Sequence, residues 1–167
     1  MGIEEHKKHA HTTVNCAVIT VSTSRTIDSD ESGKSITNLL KNEGHHMVHH
    51  TLVKDDISEI RAALEDFLKN QNIQAIILNG GTGISKKDVT IEAIKPFLEK
   101  ELTGFGELFR YLSYKEIGSP AILSRAMACV GKGKLIFCLP GSTNACKLAM
   151  EKLILPELGH MVYEFER

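Results

Sequence analysis

Three glycines within four residues, in Asn79-Gly80-Gly81-Thr82-Gly83, follow directly on the run from Ile73 to Leu78, apolar but for Gln74. With no Cβ in the way, such a loop lets backbone N–H groups turn outward together and approach an anion. Gly80, Gly81, Thr82 and Gly83 are therefore candidate phosphate-binding residues, although a loop that only needs positive φ at one or two glycines would look the same. Neither the G-x-x-x-x-G-K-[ST] loop nor the G-x-G-x-x-G fingerprint occurs. Asp88 stands five residues past the last glycine, ahead of Val89-Thr90-Ile91-Glu92. Its plain reading is a helix N-cap, a role open to Thr90 as well. A carboxylate beside a phosphate cradle is repelled by the guest unless a divalent cation lies between them. Mg2+ typically takes one or two carboxylates together with substrate phosphates. Asp55 is available as the second carboxylate, while its neighbour Asp56 better fits a helix N-terminus.

Other groups join them. Pro140-Gly141-Ser142 precedes a helical pattern, so its amides face outward and the Ser142 hydroxyl serves both as N-cap and as phosphate donor. Ser22, Ser24 and Arg25 follow the first apolar run, and Lys86 and Lys87 lie just before Asp88. They supply hydroxyls and cations, although such cations on a neutral protein are mostly solvated surface. Gly104-Phe105-Gly106-Glu107 suits the wall of a pocket for a planar ring and equally a packed helix start. His45, His46, His49 and His50 fall on both faces of one strand, which points to a half-exposed strand rather than a metal site.

These residues act together only if the chain brings their loops to one place. Residues 1–12 are polar, carry three histidines and read as a flexible arm, leaving 13–167 as one domain. Val14 to Val21 reads as a buried strand, followed by a polar loop and a helix opened by Gly33, with Ile36, Leu39 and Leu40 on one face. His46 to Lys54 is a second strand, and Ile57, Ile60, Ala63, Leu64, Phe67 and Leu68 mark a second helix. Ile73 to Leu78 is a third strand. Ala126 to Val130 and Leu135 to Leu139, parted by Gly131-Lys132-Gly133, have hairpin spacing. Strands alternating with helices predict an α/β single domain: a mostly parallel open sheet with helices on both faces and one antiparallel strand pair. Ligands bind such sheets at the carboxyl ends of the strands, where the four loops meet.

The chain has 167 residues, room for one domain. Twenty basic and twenty-one acidic residues leave a net charge of −1, no field to hold nucleic acid or an anionic membrane. No apolar stretch approaches the roughly 18 to 20 residues of a membrane span, and the start lacks a signal-peptide core, so a cytoplasmic location is expected. The four cysteines lie in apolar or helical runs without C-x-x-C spacing and read as reduced packing residues.

The glycine loop with Asp88-Val89-Thr90, Gly104 to Arg110, Ala121 to Ala126, Leu139-Pro140-Gly141-Ser142 and Pro156-Glu157-Leu158-Gly159-His160 occur here in order. Together they resemble the MoaB/Mog family of molybdenum cofactor biosynthesis proteins, from about Val14 to about Val162, with the greatest similarity to the MoaB type. The resemblance implies a three-layer α/β/α domain assembled as a homotrimer or homohexamer. It implies AMP transfer from ATP, with Mg2+, to the terminal phosphate of molybdopterin, with release of pyrophosphate, and a molybdotransferase acting downstream. By motif, Asp55 and Asp88 match the family's two functional aspartates and metal ligands, and Glu107 matches a site-lining glutamate counted with them as catalytic. Lys87 stands where the family often has arginine, which keeps the charge and loses the bidentate fork. A phosphate monoester, with a second pKa of about 6, is already a nucleophile at neutral pH, so no general base is required. A non-catalytic molybdopterin-binding or assembly module of the same fold is the alternative.

Overall fold

An apolar strand with a hydrogen-bonding partner on each edge becomes the middle of a sheet. In the structure, a computed structural model that describes residues 10–167, β1 (Asn15–Val21) takes that place. It pairs in parallel with β2 (His46–Val53) on one side and β3 (Ala75–Asn79) on the other. β3 continues in parallel to β6 (Lys134–Leu139), β6 pairs antiparallel with β5 (Met127–Gly131), and β5 pairs antiparallel with β4 (Lys100–Glu101). The order is β2-β1-β3-β6-β5-β4. The expected hairpin closes on Lys132 and Gly133, both at positive φ (52° and 71°), the turn whose twist matches its strands. β4 was not foreseen, because two residues carry no readable period.

Alternation along the strands builds two cores. On one face Cys16, Val18, Ala75, Ile77, Leu135 and Phe137 meet α1 (Glu31–Asn42), α4 (Thr103–Ile117), α5 (Thr143–Ala149) and α6 (Leu155–Glu166). On the other, Ala17, Ile19, Ile76, Leu78, Ile136 and Cys138 meet α2 (Ile57–Lys69) and α3 (Thr90–Ile94). The three-layer domain is thus present, with all four cysteines buried as free thiols. Among the described residues no helix is long and apolar enough to cross a membrane.

The helix starts refine the sequence expectations. α1 begins at Glu31, before Gly33, because Asp30 caps it by accepting from the Gly33 amide. Asp56 caps α2 as expected. Neither Asp88 nor Thr90 caps α3: its N-cap is Val89, with no side-chain cap. α3 is too short to stand alone and starts against the glycine loop. Asp88 Oδ2 therefore closes its own turn on the Ser85 amide, and the Thr90 hydroxyl donates to the Gly80 carbonyl. Residues 1–9 of the expected arm lie outside the described residues, and the rest of it is docked: His11 donates its amide to the Gly159 carbonyl of α6 and pairs through its ring with Glu166.

α1 leaves β1 onto one face and α2 returns from β2 onto the other, so the chain reverses between β1 and β3 and opens a crevice at their carboxyl ends. Gly80 fixes the wall of that crevice. Its φ is 102°, and an added Cβ would lie 2.2 Å from the Val21 carbonyl oxygen. Gly44, at φ 80°, faces open space. Gly44→Ala then costs only backbone strain, about 1 kcal/mol, or a fall of about 2–4 °C in Tm. Calorimetry should show at least twice that fall for Gly80→Ala. Equal falls would mean that the β1 to β3 junction yields freely.

Candidate active site

The four loops meet, and hydrogen bonds join them. Ser22 donates its amide to the Val53 carbonyl at 2.8 Å, and Thr23 donates both amide and hydroxyl to Asp55 Oδ2 at 2.8 Å. Arg25 Nη2 donates to the Gly141 carbonyl at 3.0 Å, and the Gly80 amide donates to the Leu139 carbonyl at 2.9 Å. The Gly80 and Gly141 turns touch, since a Cβ on Gly141 would lie 3.4 Å from Gly80 Cα.

Beneath the loops lies a polar network absent from the sequence reading. Asp30 is fully buried. Its Oδ2 accepts from the Thr20 hydroxyl and lies 3.1 Å from His50 Nε2, while Oδ1 accepts from Ser32 and the Gly33 amide. Ser32 Oγ also accepts from Arg25 Nη1 at 2.7 Å and Asn79 Nδ2 at 2.8 Å, which saturates it. Burial pushes the Asp30 carboxyl up, but the bonds from Thr20 and Gly33, the His50 ring and Ser32 outweigh it and hold the pKa below the usual value. Arg25, expected to meet a phosphate, is drawn into this network instead because a buried carboxylate and an open carbonyl lie within its reach. The sequence signal was present: Asp30 three residues before Gly33 is N-cap spacing.

The glycine loop has its carbonyls pinned on one side. The Gly80 oxygen accepts from the Thr90 hydroxyl, the Gly81 oxygen from the Thr90 amide, the Thr82 oxygen from the Arg125 amide and the Gly83 oxygen from Arg125 Nε. The amides of Gly81, Thr82, Gly83 and Ile84 have no partner among the described residues. The Gly80 amide is committed to Leu139, so Gly80 turns the chain and offers no donor. Gly81, at φ 68°, also abuts Thr90, whose Oγ1 would lie 2.4 Å from an added Cβ. The reading of Gly80 and Gly81 as positive-φ turn residues therefore holds.

Each aspartate keeps one oxygen uncommitted among the described residues: Oδ1 of Asp55, whose Oδ2 holds Thr23, and Oδ1 of Asp88, whose Oδ2 holds Ser85. Ser142 Oγ accepts from the Ala145 amide as N-cap, and among the described residues its proton and the Gly141 and Ser142 amides have no partner. Ser22 Oγ accepts the Ser24 and Arg25 amides and so orders the first loop, with Ser24 exposed above it. Lys87 is exposed without an ion pair among the described residues. No hydrogen bond joins Glu107 to the loops among the described residues. It lies exposed on α4, with no hydrogen bond or ion pair among the described residues. Its neighbours Gly104 and Phe105 line a groove of about 630 Å³ against Leu153 and Met161, which shares no residue with the four loops. The expected ring wall is thus on a different surface.

Removing the buried carboxylate strands its donors, so Asp30→Ala should lose about 3–5 kcal/mol in urea unfolding at pH 7. A folded-state pKa below the unfolded one makes the charge stabilising above the unfolded value of about 3.9. That stability disappears as pH falls through the folded value. Wild type should therefore lose its advantage over Asp30→Asn below about pH 4, and a constant difference down to pH 2 would remove the charge from the account.

Residues 17–160 match the family model described as "Probable molybdopterin binding domain". The chain is 50% identical over 165 residues to "Molybdenum cofactor biosynthesis protein B" of Halalkalibacterium halodurans, covering 98% of this chain and 97% of that protein. It is 49% identical over 168 residues to the protein of the same name from Bacillus subtilis, covering 100% and 99%. Among solved structures, a "Molybdenum cofactor biosynthesis protein B" superposes with a TM-score of 0.90 at 47% identity, covering 93% of this chain and 97% of that one. The tungsten cofactor synthesizing protein MoaB from Pyrococcus furiosus gives 0.85 at 37% identity, covering 95% and 100%. The matched segment runs from β1 into α6 and takes in all four loops, and by that match the chain belongs to the probable molybdopterin binding domain family.

Proposed function

We propose that this chain works in molybdenum cofactor biosynthesis as an adenylyltransferase that moves AMP from ATP onto the terminal phosphate of molybdopterin. The observation that carries this reading is the pair of turns that touch at Gly80 and Gly141, with the amides of Gly81 to Ile84 and of Gly141-Ser142 unpartnered among the described residues at the carboxyl edge of the sheet. Two adjacent anion seats suit a reaction between two phosphates. One oxygen of the molybdopterin phosphate forms a bond to the α-phosphorus of ATP, the bond from that phosphorus to the bridging oxygen breaks, and pyrophosphate leaves with the electron pair. No proton has to be removed from the nucleophile, which accords with a site that holds no base and nucleophile pair.

The chain's own contribution is positioning and charge. Amides of Gly81, Thr82, Gly83 and Ile84 seat one phosphate group, and the Gly141 and Ser142 amides with the Ser142 hydroxyl seat the other. Lys87 adds a mobile cation at the rim. The Oδ1 atoms of Asp55 and Asp88, without a hydrogen-bond partner among the described residues, are hard oxygen donors on the loops after β2 and β3, a type that fits Mg2+ and would hold it. When bound, Mg2+ supplies charge neutralisation between carboxylates and phosphates that would otherwise repel.

Assembly belongs to the same proposal. α4 and the turn after it expose Leu108, Tyr111, Tyr114, Ile117 and Ile122, the last at 81%. A contiguous apolar face of that kind is uncommon on a monomer and accords with a homotrimer or homohexamer.

The test is incubation with ATP, Mg2+ and molybdopterin, read as pyrophosphate release. Asp88→Asn keeps the oxygen that accepts from Ser85, so its Tm should stay within about 2 °C of wild type while turnover falls at least about 100-fold. Near wild-type turnover in that variant would remove Asp88 from the chemistry. Molybdopterin binding by wild type without pyrophosphate release would instead make the protein a non-catalytic module. Light scattering should give three or six times 18.5 kDa, and a monomer would overturn the assembly.

A further inference from the structure

We propose that Arg125 is a positioning residue that holds the glycine loop and the Asp88 turn in their ligand-ready form, with Glu92 fixing its guanidinium; the ligand part of this rests on the reading of the loop as a phosphate cradle. The glycines permit the loop amides to face out but do not by themselves hold the last two of them there. The contacts of Arg125 do. Its backbone amide donates to the Thr82 carbonyl at 2.9 Å, Nε to the Gly83 carbonyl at 2.7 Å and Nη2 to the Asp88 carbonyl at 3.0 Å. Nη1 and Nη2 grip the two oxygens of Glu92, so the fork is aimed by a bidentate partner on α3.

In a trans peptide the carbonyl and the following N–H point in opposite directions. Drawing the Thr82 and Gly83 carbonyls toward Arg125 therefore turns the Gly83 and Ile84 amides away from it. Thr90 does the same for the two preceding peptides, binding the Gly80 and Gly81 carbonyls and so turning out the Gly81 and Thr82 amides. Thr90 and Glu92 both sit on α3, so one short helix sets both halves of the loop, the second through Arg125. Arg61 of α2 anchors that helix by donating to the Glu92 and Ala93 carbonyls. The bond from Nη2 to the Asp88 carbonyl fixes the main chain at the end of the turn, and with it the side chain that closes on Ser85.

The residue type matters. A guanidinium offers five donors in a fixed plane, enough for two loop carbonyls and a carboxylate at once, whereas an ammonium offers three from a single point. Its charge is matched by Glu92, whose carboxyl is held below its usual range chiefly by the Arg125 bond. The clamp therefore orders the loop without itself being a phosphate ligand.

The experiment compares wild type with Arg125→Gln, Arg125→Lys and Glu92→Gln by amide hydrogen exchange and by ATP titration with steady-state kinetics. The amides that report on the loop are Ser85, Asp88 and Thr90, each hydrogen-bonded within it. In Arg125→Gln their exchange should quicken at least about 10-fold with protection in β1 and α1 unchanged, and the KM for ATP should rise about 10- to 100-fold, more than kcat falls, as for outer-shell partners elsewhere. Arg125→Lys and Glu92→Gln should fall between. If Arg125→Gln fails to fold, the lysine variant carries the same comparison. Loop exchange unchanged from wild type would overturn the proposal, as would protection lost evenly across the whole chain. Quickened loop exchange in a protein whose wild type binds no ATP would uphold Arg125 as the loop's clamp and defeat only the phosphate reading.

Discussion

A carboxylate cut off from solvent has to be surrounded by donors, and Asp30 imposes that requirement on every element around the crevice. Its two oxygens gather Thr20 from the end of β1, His50 from β2, Ser32 and the Gly33 amide from the first turn of α1, and, through Ser32, Asn79 from the end of β3. Arg25 extends the same network to the Gly141 carbonyl of the fourth loop. Leaving any of these groups unpaired in a low-dielectric interior is costly, so the carboxyl ends of three parallel strands are held in one relative position. The crevice inherits its shape from that network.

Above it, the glycine loop follows a second rule: backbone polar groups have to be paired or solvated. Pairing four successive carbonyls with Thr90 and Arg125 on one side leaves four amides for the other. Positive φ at Gly80 and Gly81 makes this possible, and the space for it exists because neither carries a side chain where Val21 and Thr90 approach. The structural and the binding explanations of the glycines are two sides of one peptide plane. The outward direction of these amides is therefore set by the fold, which is what the proposed phosphate seat requires.

The distribution of charge agrees with such a site. The net charge is −1, and Asp55 and Asp88 each keep an oxygen without a partner among the described residues after holding a backbone amide. The cations nearest to them are either paired inward, as Arg25 and Arg125 are, or exposed, as Lys87 is. In the proposed site, attraction for an anion would come mainly from backbone dipoles, with Asp55 and Asp88 as the proposed ligands of a cation.

Much of this was legible in the chain of residues. The runs Val14 to Val21 and Ile73 to Leu78, the stripe from Ile57 to Leu68 and the short spacing around Lys132 depend on neighbours in sequence, and they announced the open sheet, its hairpin and the loops at its edge. Asp55, Asp88, the glycine loop and Ser142 were likewise recognisable from their places just beyond strands. Asp30 looked like part of a polar loop and Arg125 like one residue of a motif, because partners such as Thr20 and His50 for the first and Gly83 for the second stand 10, 20 and 42 positions away. Arg25 was assigned to the site by its place after a strand and Glu107 by its motif. Tertiary packing drew the first inward, where a buried carboxylate and a carbonyl compete for it, and left the second exposed on α4. Local sequence determined which segments are strands, helices and loops, since periodicity and capping act over a few residues. Only the folded chain decided which polar groups pair, since that depends on which distant atoms come within about 3 Å of one another.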